Sequence, residues 1–143
     1  AMVDEWSGDY GCGVKYFSQD SVIKLAENAG FKFDEGVSPA EKLKVIQKLM
    51  AEGDKMAEGI YECIGIYLGY TMAYYSEFYD IKHALLLGRG TSGKGGDVIL
   101  KKAKEVIDSE YPEYSHIIME MPDESNKRVG QSIAAASLPE IKK

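Results

Sequence analysis

Apolar positions recur along this chain at changing intervals, and each change of period marks a new element. From residue 18 onward Val22, Ile23, Leu25 and Ala26 repeat at helical spacing, with Ser18 as an N-cap and Asn28-Ala29-Gly30 as a C-terminal stop. A first helix is expected over 18–30. A glycine-containing link, 31–37, then leads to Ser38-Pro39-Ala40-Glu41. There the serine can bond the amide three residues on, the glutamate can reach back, and proline fills the first helical position. The second helix that starts here carries Leu43, Ile46, Leu49 and Met50 as one stripe, and Gly53-Asp54 breaks it. The third and longest helix begins at Lys55 and runs to about residue 79, with Ile60, Ile64, Tyr67, Leu68, Thr71, Met72 and Tyr75 on a wide face. Gly59, Gly65, Gly69 and Ala73 clear one of its ridges. Each glycine costs about 0.5–1 kcal/mol relative to alanine inside a helix, so the row predicts another backbone close by.

After Asp80 the period switches. Ala84-Leu85-Leu86-Leu87 is a continuous apolar run closed by Gly88, which predicts a strand over 83–88 buried on both faces. A glycine-rich loop, 88–96, follows, and Val98, Ile99, Ala103, Val106 and Ile107 mark a helix to Glu110, closed by Pro112. Ile117-Ile118-Met119 predicts a second strand over 115–121, at the spacing of about 30 residues typical of a βαβ crossover. The chain thus reads as α/β: an irregular or extended lead-in (1–17), a helical region (18–79), a βαβ unit (83–121) and an alanine-rich terminal helix (125–137). Two parallel strands do not make an independently stable sheet. The lead-in, polypeptide outside these residues, or another subunit is expected to complete it, the second being favoured.

Composition narrows the classes. The chain has 143 residues, 45% hydrophobic and 28% charged, enough for one domain with a genuine core and against disorder or a fibre. Seventeen Lys+Arg against 23 Asp+Glu leave a net charge of -6, so no general field draws it to nucleic acid or anionic lipid. Cys12 and Cys63 have no partner at metal-type spacing and read as thiols in a reducing compartment, with the cytoplasm expected. The opening carries no basic-then-apolar leader pattern. The stretch 60–79 is broken by Glu62 and Glu77 and falls short of the roughly 20 apolar residues a bilayer needs, so a buried helix and no membrane span are expected.

The strongest chemical signal is the glycine loop, because free amides between a strand and a helix N-terminus can hold a phosphate. Gly88 to Lys94 fits G-x-x-x-x-G-K, but Gly95 stands where a P-loop needs a magnesium-binding hydroxyl, and the second strand offers only Glu120 as an acid. A glycine-rich turn without a ligand is the plain alternative. His83 and His116 read as strand-end residues. Tyr61, Tyr67, Tyr70, Tyr74, Tyr75 and Tyr79 point to a helix or subunit interface, and Lys101, Lys102 and Lys104 to a solvated helix face. No acid–base pair, nucleophile or metal cluster stands out.

Gly11-Cys12-Gly13-Val14-Lys15-Tyr16-Phe17-Ser18, the acidic turn at Glu52-Gly53-Asp54, the long helix, and Ile81 to Gly90 together resemble the C-terminal half of ROK proteins. These are bacterial sugar kinases and sugar-responsive repressors with the ribonuclease H-like, actin-like ATPase fold of acetate kinases and heat-shock ATPases. The resemblance covers most of the chain. It implies a C-terminal lobe whose glycine turn lies beside ATP with Mg, with Gly88, Gly90, Thr91 and Ser92 as cofactor-binding positions. Arg89 stands where the family usually has glycine. Only Cys12 remains of the zinc motif, so no zinc is expected, and Val14 replaces the sugar-contacting glutamate. The family's phosphate-binding hairpin and catalytic aspartate belong to the other half of the fold. The partners implied are therefore a missing N-terminal lobe or another subunit, with a homodimer possible, and the isolated chain is expected to be inactive. The alternative reading is a non-catalytic interaction or dimerisation module that has lost sugar and zinc binding.

Overall fold

The computed structural model of the chain describes residues 3–122. It contains α1 (Val14–Phe17), α2 (Gln19–Asn28), α3 (Pro39–Glu52), α4 (Lys55–Ser76), β1 (His83–Leu85), α5 (Lys94–Glu110) and β2 (Ile118–Glu120), with 3-10 turns at Arg89–Thr91 and Pro112–Tyr114. The fold is mixed and helix-rich with one small parallel sheet. The terminal helix expected over 125–137 lies outside the described residues.

The caps are those the residue types demand. Ser18 accepts the Asp20 amide at the start of α2, and Ser38 and Glu41 form a reciprocal capping box with Pro39 in the first turn of α3. Gly53 ends α3 in the left-handed region (φ 83°), and Asp54 accepts the Ala57 amide to start α4. The first expectation to fail is at 14–17, assigned to an irregular lead-in but forming one helical turn ahead of α2.

Helices α4 and α5 pack along the ridge cleared by glycine. A Cβ on Gly65 would fall 2.7 Å from the Ile99 carbonyl oxygen, and one on Gly69 2.7 Å from Val106 Cβ. The expected close backbone is α5. Val22, Ala26, Leu43, Ile46, Met50, Ala57, Ile60, Tyr61, Ile64 and Ile99 form the main core, and Met72, Ile107 and Ile117 a second cluster beneath the sheet.

β1 and β2 pair in parallel, His83 opposite Ile118, Ala84 opposite Met119 and Leu85 opposite Glu120. Both strands are shorter than expected, and neither is buried on both faces. Ala84, Leu86 and Met119 turn toward the helices, whereas Leu85, Leu87 and Ile118 are exposed, because α4 and α5 cover one side only. Among the described residues the lead-in does not extend this sheet, and its pairing is an isolated antiparallel bridge between Val3 and Tyr10. The glycine loop is also shorter than expected, since α5 begins at Lys94 and takes Gly95 and Gly96 into its first turn. Among the described residues no helix is long and apolar enough to cross a membrane.

Candidate functional site

The site is built at the C-terminal end of β1. Gly88 adopts φ 136°, ψ 166°, a region side chains rarely enter, which lets the strand turn at once into the 3-10 turn Arg89–Thr91. Thr91 is buried and its Oγ1 donates to the Gly88 carbonyl at 2.9 Å, closing that turn. Gly90 is buried against the start of α2: a Cβ there would lie 3.8 Å from the Ser18 carbonyl carbon, ordinary contact distance. From α3, Gln47 Nε2 donates to the Arg89 carbonyl at 2.9 Å, while Lys94 Nζ donates to the Ala51 carbonyl at 3.1 Å.

Two clefts flank the turn. In the first, of about 360 Å³, Leu87, Gly88, Arg89 and Gly90 face Val14, Phe17, Ser18, Gln19 and Asp20. Gln19 Oε1 is buried without a hydrogen-bond partner. Asp20 is held by Lys15 at 2.9 Å, and Lys15, buried and also bonded to Glu5, has its pKa raised chiefly by those two hydrogen bonds. The second cleft, of about 240 Å³, is walled by Ser92, Gly93, Lys94 and Gly95 on one side and Gln47, Met50, Ala51 and Tyr61 on the other. The Tyr61 hydroxyl is buried with no partner, and burial pushes its pKa up to about 12.

The four residues singled out from sequence therefore separate. Gly88 and Gly90 line the first cleft, Ser92 the second, and Thr91 is buried between them, its hydroxyl spent on the turn. Lys94, which occupies the P-loop lysine position, caps the end of α3 instead of reaching across the loop. His83 is exposed in β1, and His116, exposed before β2, has Nδ1 3.1 Å from the Glu113 carbonyl oxygen. Sequence reasoning missed Gln19, Asp20 and Gln47: Ser18-Gln19-Asp20 carries a capping signal that gives no hint of what the cap faces. Among the described residues no group of three or more His, Cys, Asp or Glu side chains stands close enough to hold a metal.

No protein-family model matches this chain, and no curated protein or solved structure matches it either.

Proposed function

We propose that this chain is the nucleotide-facing C-terminal lobe of a ROK-like sugar kinase or a relative of one, in an actin-like ATPase fold, and that it is not catalytically complete alone. The observation that carries this reading is the turn Gly88–Gly90, two glycines about Arg89, which opens together with the first turn of α2 onto one cleft of a size suited to a small ligand. The chain's contribution is a wall. Gly88 and Gly90 leave room for close approach of a nucleotide, and Arg89 supplies a cation for phosphate. Magnesium fits less completely, since the one carboxylate on the cleft, Asp20, is already paired with Lys15. Bound there, Mg-ATP would bring its own metal, and the charge stabilisation of phosphoryl transfer would come mainly from the absent lobe or another subunit. The exposed outer face of the two-stranded sheet supports such a partner.

Titration calorimetry of Mg-ATP into the gene product, with Gly90→Val beside it, tests the proposal. Saturable heat in the parent and none in the variant, with the circular dichroism spectrum retained, is the expected result. Equal heats in both remove the turn from the site.

A second reading, a non-catalytic interaction or dimerisation module, is favoured by the uncharged and exposed side of α4. It predicts no heat with Mg-ATP in either protein.

A further inference from the structure

Helix α4 has two apolar faces, and among the described residues one is buried in the cores while the other is covered in part, where Tyr67 meets Tyr16 and Tyr70 meets Tyr111 and Glu110. Ala57, Ile60, Tyr61, Ile64 and Met72 enter the cores. On the other side Tyr67, Tyr70, Thr71, Tyr74 and Phe78 recur at the spacing that stacks side chains into one stripe, continued by the turn after the helix. The C-terminal end of that stripe is open to solvent: Tyr74 is 62% and Phe78 65% exposed. The stretch 63–76 contains no charged side chain at all, whereas the solvent sides of α2 and α3 carry Lys24, Lys44 and Lys48. A helix apolar all round is ordinarily buried all round, so this side of α4 has the composition of a contact surface.

The stripe has relief. Tyr67, Thr71 and Tyr74 form one wall of a cleft of about 420 Å³, closed on the other side by Gly11, Gly13 and Tyr16. Phe78 stands beyond it, edge-on to Tyr74 with centroids 5.3 Å apart. A hole around Thr71 and a knob at Phe78 are thus offset by about 10 Å along the helix, at roughly 1.5 Å per residue. Such an offset on one stripe is self-complementary. A two-fold axis crossing α4 near Tyr74 carries each knob to the other copy's hole.

Charge and area point to the same occupant. The chain is acidic, and like-charge repulsion between two copies is least where charges are absent, as they are over 63–76. Its exposed aromatic side chains, with Tyr75 and Tyr79, present roughly 600 Å², most of the roughly 800 Å² each partner buries in a stable interface.

We infer that the aromatic stripe of α4 is the interface between two copies of this chain, paired antiparallel about a two-fold axis near Tyr74 with each Phe78 seated in the other's cleft. The inference stands independently of nucleotide binding. Sedimentation equilibrium over a dilution series should give a dimer for the parent chain. Tyr74→Glu and Phe78→Asp should each weaken its Kd by more than about tenfold, with melting temperature unchanged under conditions where all are monomeric. Val45→Glu, on an exposed site of α3, should leave the dimer intact. With Cys12 and Cys63 replaced by serine, Tyr74→Cys should oxidise to a covalent dimer and Val45→Cys should not. A parent that stays monomeric overturns the proposal, including one that instead floats with phosphatidylcholine vesicles. So does a dimer indifferent to both stripe variants.

Discussion

Gly95 lies directly against the ring of Tyr61: a Cβ on Gly95 would fall 2.6 Å from Tyr61 Cζ. The ring is fully buried in the main core, so the first turn of α5 is seated on a packed surface. Beside it, Gly96 lies so close to the Thr91 carbonyl oxygen and Met121 that a Cβ would collide with both. These two contacts call for glycine at both positions.

Gly95→Ala should destabilise the chain by about 1–3 kcal/mol through overpacking, despite alanine's better helix propensity. Urea unfolding followed by circular dichroism measures this. A variant as stable as the parent would mean that the ring can move aside.

Tyr61→Phe should be neutral or stabilising at pH 7, because it removes a buried hydroxyl that has no partner. Alkali should separate the two proteins further. The Tyr61 pKa is raised in the folded chain to about 12 from an ordinary value of 10.0, so its protonated form is favoured by folding. That contribution is complete below the unfolded pKa and is lost as the pH climbs through the folded one, at about 1.4 kcal/mol for each unit of difference. Melting temperatures between about pH 10 and 12 should therefore fall more steeply for the parent than for Tyr61→Phe. Parallel slopes would show that the hydroxyl is solvated.

The glycines of α4 should respond in opposite directions. Nothing lies within 4 Å of a Cβ on Gly59, so Gly59→Ala should stabilise by about 0.5–1 kcal/mol. Gly65→Ala drives a methyl into the Ile99 carbonyl and should cost about 1–3 kcal/mol. Thermal melts of the two variants check the pair, and equal shifts would contradict the α4–α5 approach.

Lys15 ties Glu5 of the lead-in to Asp20 of α2, and Trp6, the single tryptophan, sits beside Glu5 and is solvent-exposed. Glu5 has its pKa lowered first by the Lys15 hydrogen bond, so the tie is present above the usual carboxylate range, near about 4.3, and is lost as the pH falls through and below it. Trp6 fluorescence anisotropy should drop over that acid range. In Lys15→Met it should be low at every pH, and a parent-like acid transition in that variant would place the tie elsewhere.

Local chemistry was legible wherever neighbouring residues decide it. The Ser38–Glu41 capping box, the Gly53-Asp54 break and the small ridge of α4 all stand where residue type alone puts them. The strand at 83–88 was legible as a strand but not in its burial. Ala84-Leu85-Leu86-Leu87 is equally apolar on both sides, and only the placement of α4 and α5 leaves Leu85 and Leu87 uncovered. Likewise Gly88, Gly90, Thr91 and Ser92 are consecutive or nearly so, yet they divide between two clefts and a buried turn. The elements that part them, α2 and α3, come from the other end of the chain.

By itself, then, the order of residues determined helices α2 to α5, the caps of α2 to α4, the βαβ succession and a glycine turn at the end of a strand, because each depends on interactions within a few positions. Tertiary structure alone decided that Ser18, Gln19 and Asp20 face that turn, that Gly95 lies against Tyr61, and that Tyr74 and Phe78 stay exposed. Those are contacts between residues tens of positions apart, and which side of a helix meets which neighbour depends on how all the apolar faces are buried together.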